Sequence, residues 1–145
     1  MRLVLQRVKK AAVKVQGETV GEIGRGFLIL LGAARGDTDE KALQLADRCA
    51  VLRVFEDDDG KMNLNVKEVG GQVLVVSQFT LCADLAKGRR PSFDGAMAPE
   101  AANTLYEKFC DFLTIRGITV RKGLFGAKMA VELINDGPVT FILEN

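Results

Sequence analysis

At 145 residues, with 48% apolar and 27% charged residues and a formal net charge of +1, the chain reads as one domain over residues 1–145. It is long enough to bury a core without a disulfide staple, and it carries no whole-molecule field that would draw in nucleic acid. Three cysteines without a C-x-x-C pair argue against a disulfide framework, and the absence of histidine excludes Ser-His and Cys-His dyads and the H-E-x-x-H zinc site.

The opening "MRLVLQRV" has no apolar core of signal-peptide length. "LVLQRVKKAAVKVQG" alternates as a strand, with Val13 and Val15 on one face, and "GETVGEIGRG" supplies turn glycines before the apolar "FLILLG". The pattern predicts a β-meander ending in a buried strand. That last run is the longest apolar stretch and falls far short of the roughly 20 residues that span a bilayer. The expectation is a cytoplasmic protein with no membrane contact.

"GDTDEKALQLADRCAVLRV" predicts a helix with Asp37 as N-cap and Ala42, Leu45, Cys49 and Leu52 on one face. "FEDDDGKMN" predicts a solvated turn, because Lys61 and the position of Gly60 break the EF-hand spacing. "GGQVLVVSQFTL" gives a short apolar run, Val73 to Val76, that meets Ser77, Gln78 and Thr80 at its end. "APEAANTLYEKFCDFLTIRG" predicts a second helix, with Pro99 in its first turn, a stripe of Ala102, Leu105, Phe109 and Phe112, and Gly117 ending it. "ITVRKG", "MAVELIN" and "VTFIL" complete a β-rich α/β domain with its helices layered on a sheet.

Three stretches carry polar groups that could do chemistry. "SQFT", Ser77 to Thr80, is either a strand end tying up loose backbone groups or a reactive segment. "NDGPVT", Asn135 to Thr140, is either a hairpin turn or a segment that needs Gly137-Pro138 for another purpose, since Pro138 has no N–H for a ladder. "KGRRPSF" clusters Lys87, Arg89 and Arg90 beside an aromatic, which suits a phosphate or a nucleic-acid end as well as a solvated loop.

Together with "LQRV", "VGEIGRG", "LRVFEDDDGKMNLNV", "LYEKF" and "GLFGAKM", in this order over essentially the whole chain, these stretches resemble the D-aminoacyl-tRNA deacylases. The resemblance implies two β-sheets, mostly antiparallel, with a layer of two main helices. It implies a homodimer with active sites at the subunit interface, acting on the aminoacylated 3′ end of tRNA. The implied reaction is ester hydrolysis of D-aminoacyl-tRNA, and of glycyl-tRNA mischarged on alanine tRNA, with L-esters rejected (EC 3.1.1.96 type).

In that family the Gly-Pro bond is cis and enters the pocket of the other subunit, so Gly137 and Pro138 would form a chiral gate. Arg7 would orient its carbonyls, with Asn135, Thr140 and Met129 beside the substrate. Ser77, Gln78, Phe79 and Thr80 would receive the terminal adenosine and the ester, and Lys87, Arg89 and Arg90 would contact the tRNA.

No cofactor or metal is expected. With no histidine to serve as base, the expectation is that the ribose 2′-OH assists and that Thr80 is not the nucleophile. Lys128, where the family usually has an acidic residue, and Arg89, where it is commonly uncharged, are departures that add charge near both loops. The competing readings are a non-catalytic module for aminoacyl-tRNA ends, a sibling deacylase with a trans Gly-Pro bond, and a β-rich dimeric scaffold.

Overall fold

The computed structural model describes residues 1–86 and 88–145. Its elements run β1 (Arg2–Val15), β2 (Glu18–Ile23), β3 (Gly26–Gly32), α1 (Asp39–Val51), β4 (Phe55–Glu56), β5 (Met62–Leu64), β6 (Gln72–Ser77), a 3-10 turn (Phe79–Cys82), α2 (Pro99–Ile115), β7 (Thr119–Lys122) and β8 (Ala130–Glu144). The fold is mixed α/β and strand-rich, with two helices and two sheets. The main sheet has the order β2-β1-β3-β6-β7 with β8 also on β1, and β4-β5 form a small separate ribbon. Pairings of β1 with β2, β3 and β8 are antiparallel, while β3-β6 and β6-β7 are parallel.

The two continuous apolar runs, β3 and β6, are continuous because both faces of each strand are covered. Phe27, Ile29, Leu31, Val73 and Val75 pack toward α1 and α2, against Leu45, Cys49, Tyr106 and Phe109. Leu28, Leu74 and Val76 face the other way, into a second cluster with Val8, Ala11, Val13 and Ile23. Each Leu or Phe fully buried here contributes roughly 1.5–3 kcal/mol, so these strands are the fixed frame for whatever leaves their ends. The buried Tyr106 hydroxyl donates to the Val75 carbonyl at 2.9 Å and locks α2 onto β6.

Three expectations are corrected. β1, β2 and β3 do not form a meander, because β1 is long enough to pair its second half with β2 and its first half with β3. The α1 N-cap is Thr38, one residue later than the spacing suggested. The Asp37 carboxylate is taken elsewhere, accepting from the Ala34 N–H and the Met1 ammonium at 2.6 Å each.

The third correction concerns "NDGPVT", which is no hairpin. Val131–Leu133 and Thr140–Leu143 both lie on β1, in one 15-residue strand. β1 pairs Gln6 with Thr140 and Val8 with Asn135, so Asp136 to Val139 bulge out opposite the single residue Arg7.

Candidate active site

The end of β6 is where the apolar run stops and polar groups begin. Ser77, Gln78 and Phe79 line a cleft of about 670 Å³ whose other walls include Phe93, Met97, Ala102, Phe125 and Met129. The chain reaches this place rigidly: the Gln78 N–H donates to the Leu31 carbonyl at 2.7 Å, and the Leu81 N–H returns to the Gln78 carbonyl at 3.1 Å. Gly32 permits the approach, since a Cβ there would lie 2.9 Å from Leu81 Cβ and 3.1 Å from the Gln78 carbonyl oxygen.

The 3-10 turn leaves the N–H groups of Phe79 and Thr80 in its first turn, where no intrahelical acceptor exists. Among the described residues neither N–H makes a hydrogen bond. Thr80 is exposed, and its Oγ1 accepts from Gln78 Nε2 at 2.5 Å. An amide N–H is a donor and cannot take a proton, so Thr80 has no base beside it.

Of the second group of expected residues, Met129 lines this cleft, whereas Gly137 and Pro138 on the β8 bulge, Asn135 and Thr140 at its base and Arg7 on β1 do not. Arg7, at 4% exposed, is the one charged residue buried as a whole among the described residues. Its Nη1 donates to the Val54 carbonyl at 2.6 Å and its Nε to the Asp136 carbonyl at 3.1 Å, with Glu56 at 3.6 Å and the Asp136 carboxylate at 3.4 Å. Asn135 closes the base of the bulge. Its Oδ1 accepts from the Val139 N–H at 2.9 Å, and its Nδ2 reaches the Val139 carbonyl at 3.3 Å. Thr140 Oγ1 accepts from Gln6 Nε2 at 3.3 Å.

Between these clamps Gly137 and Pro138 are exposed, joined by a cis bond, with Gly137 at φ +129°. A Cβ at Gly137 would fall 3.0 Å from Arg7 Nη2 and 2.7 Å from Val139 Cγ2.

Arg89 and Arg90 are exposed on the loop between Asp84 and Ser92, whose ends are bridged by backbone bonds of 2.8 and 3.0 Å. Among the described residues neither arginine forms an ion pair, nor does Lys128 on the far rim between Ala127 and Met129. Lys87 lies outside the described residues. No group of three or more His, Cys, Asp or Glu able to hold a metal occurs among the described residues, and no helix among them is long and apolar enough to cross a membrane.

Part of the cleft carries no mark in the sequence. Phe93, Met97, Phe125 and Ala102 are ordinary apolar residues in loops and a helix stripe, and only the fold shows that they face an opening.

A family model described as D-Tyr-tRNA(Tyr) deacylase matches residues 4–144. A protein of Geobacter sulfurreducens named D-aminoacyl-tRNA deacylase is 56% identical over 144 residues, covering 99% of this chain and 95% of that protein. One of Anaeromyxobacter dehalogenans with the same name is 57% identical over 145 residues, covering 100% and 97%. Among solved structures, one titled c-Myc DNA Unwinding Element Binding Protein superposes with a TM-score of 0.93 at 40% identity, covering 100% of this chain and 99% of that one. A probable eukaryotic D-amino acid tRNA deacylase superposes with a TM-score of 0.84 at 20% identity over 98% and 97%, which speaks to the fold.

Proposed function

The chain belongs to the D-Tyr-tRNA(Tyr) deacylase family and is a hydrolase of that kind, and from this premise we propose how its residues do the work. The substrate is the 3′ end of tRNA carrying a D-amino acid, or glycine misplaced on alanine tRNA, and the working place is the cytoplasm. Residues 1–145 act as one deacylase domain, paired with a second copy.

The ester enters the cleft at the end of β6. Water attacks its carbonyl carbon, the bond to the ribose 3′ oxygen breaks, and that oxygen leaves with a proton. The free N–H groups of Phe79 and Thr80 hold the oxyanion, a contribution of about 3 kcal/mol in hydrolases with such donors. The chain has no histidine and Thr80 touches only an amide donor, so the ribose 2′-OH assists the attack while Ser77 and Gln78 position the ester.

Stereochemistry comes from the bulge. Gly137 and Pro138 of one protomer enter the cleft of its partner and place main-chain carbonyls where an L-side chain would project. Discrimination by exclusion requires no contact with the correct side chain, so many D-residues and glycine pass. One observation carries this reading: the bulge is clamped by the buried Arg7 and by Asn135, yet its exposed tip does not line the cleft at the end of β6 of its own chain. A solvent turn has no need of a buried guanidinium.

The test is release of tyrosine from D-tyrosyl-tRNA, with sedimentation on the same sample. Release well above the buffer rate from a dimer supports the proposal; release at the buffer rate leaves a binding module or a scaffold.

A further inference from the structure

The guanidinium of Arg7 meets the β8 bulge through nitrogens that are not held alike. Nε donates to the Asp136 carbonyl and Nη1 to the Val54 carbonyl, whereas Nη2 makes no hydrogen bond among the described residues. Nη2 is the nitrogen that lies 3.0 Å from where a Cβ of Gly137 would stand. The Glu56 carboxylate approaches it to 3.6 Å, from an exposed side chain on β4.

Asp136 and Glu56 thus flank one guanidinium, and of the two only Glu56 is independent of the bulge. Asp136 is part of the bulge itself, and its carboxylate, 3.4 Å from Arg7, also lies 3.9 Å from Lys9, so it moves with whatever it would hold. Glu56 stands on the separate β4-β5 ribbon. Phe55 anchors that ribbon, fully buried with its ring 5.0 Å from the ring of Phe27 on β3. The Val54 N–H donates to the Leu64 carbonyl at 3.1 Å and the Asp57 N–H to the Lys61 carbonyl at 2.9 Å, which fixes the backbone on both sides of Phe55 and Glu56. The carboxylate therefore hangs from the frame of the domain.

We infer that Glu56 is a positioning residue for stereochemical selection: its charge sets the plane of the Arg7 guanidinium, and through it the direction of the main chain at Asp136 and Gly137. The inference rests on the reading of the bulge as the gate against L-esters. A guanidinium is a planar fork, so a pull on one nitrogen turns all of them. The Arg7 end of the pair is nearly dry, where a charge counts for more than on an open surface. Neutralising Glu56 leaves the bonds of Arg7 to two carbonyls in place and frees the nitrogen beside Gly137, so the gate slackens without being dismantled.

The experiment is single-turnover hydrolysis of D- and L-tyrosyl-tRNA by wild type, Glu56→Gln, Glu56→Asp and Glu132→Gln. It is read as the ratio of L- to D-ester rates, in which a change in tRNA binding common to both esters cancels. Glu56→Gln keeps the shape and loses the charge, and raises the ratio about fivefold. Glu56→Asp loses a methylene and keeps the charge; attraction falls only as the inverse of distance, so its ratio stays within about twofold of wild type. Glu132→Gln breaks the Lys14–Glu132 ion pair of 2.8 Å elsewhere on β8 and leaves the ratio unchanged. Melting curves confirm that all variants fold.

A Glu56→Gln ratio within about 1.5-fold of wild type overturns the inference. So does the reverse order, with Glu56→Asp leakier than Glu56→Gln, which would mark a packing role, and so does an equal rise in Glu132→Gln, which would mark a general effect of lost charge. If the wild type hydrolyses both esters equally, the gate reading fails and the inference with it. A selective wild type beside an unchanged Glu56→Gln leaves the gate standing and removes Glu56 alone.

Discussion

The Arg7 guanidinium binds Asp136 twice, its Nε donating to the main-chain oxygen at 3.1 Å and lying 3.4 Å from the carboxylate, so a side chain from the middle of β1 holds the residue before Gly137. The same group satisfies the Val54 carbonyl at 2.6 Å. Arg7→Ala removes the partner of two carbonyls in a nearly dry place and should cost about 3 kcal/mol. Chemical denaturation measures it, and an unmoved midpoint would show that the clamp contributes nothing to stability.

Gly137→Ala meets both a closed space and a positive φ. The expected cost is about 1–3 kcal/mol, since the new Cβ presses on Arg7 and Val139 in a backbone region that L-residues avoid. Gly60→Ala is the control: its φ is +74° but nothing lies within 4 Å of the added carbon, so it pays only the intrinsic left-handed penalty of about 1 kcal/mol. Equal melting temperatures for the two variants would refute the claim that the bulge is tightly built.

Thr80→Ala should keep single-turnover deacylation of D-tyrosyl-tRNA within about tenfold of wild type, because its hydroxyl has no base and only the N–H of residue 80 is asked to act. A fall of several orders of magnitude with binding intact would restore the hydroxyl as nucleophile.

The thiols give a pH prediction. Burial pushes Cys49 and Cys110 up to about 12. Partial burial, with the Asp37 carboxylate nearby, also raises Cys82. A folded value above the unfolded one of about 8.5 means that the neutral buried thiol supports the fold fully below that pH. The support is then lost as pH rises toward the folded value. Denaturation midpoints should therefore fall between about pH 9 and 12, less steeply in Cys49→Ala, and at pH 8 a thiol reagent should label Cys82 long before Cys49 or Cys110. A flat midpoint or equal labelling rates would contradict the burial assigned here.

Much of the frame was legible because periodicity and burial are local signals. "FLILL" announced a buried strand and "VLVV" a short apolar run, which the fold covers on both faces, and the Ala102–Phe112 stripe announced α2. The topology around β1 was not legible, because nothing in a 14-residue alternating strand says that its halves take different partners. For the same reason the bulge at Asp136–Val139 looked like a turn: its meaning lies in Arg7, 129 residues away. The polar part of the cleft showed itself where Ser77 interrupts an apolar run, whereas Phe93 and Phe125 carry no local mark of facing an opening.

Selection of handedness by the bulge is tested most directly by parallel single-turnover hydrolysis of D- and L-tyrosyl-tRNA by wild type and Arg7→Lys. A lysine keeps the charge but cannot reach two carbonyls as a planar fork, so the gate loosens while the cleft stays intact. The expected result is strong preference for the D-ester in the wild type, and in the variant an L-ester rate raised at least about tenfold with the D-ester rate little changed. Equal wild-type rates on the two esters, or a variant as selective as the wild type, would contradict it.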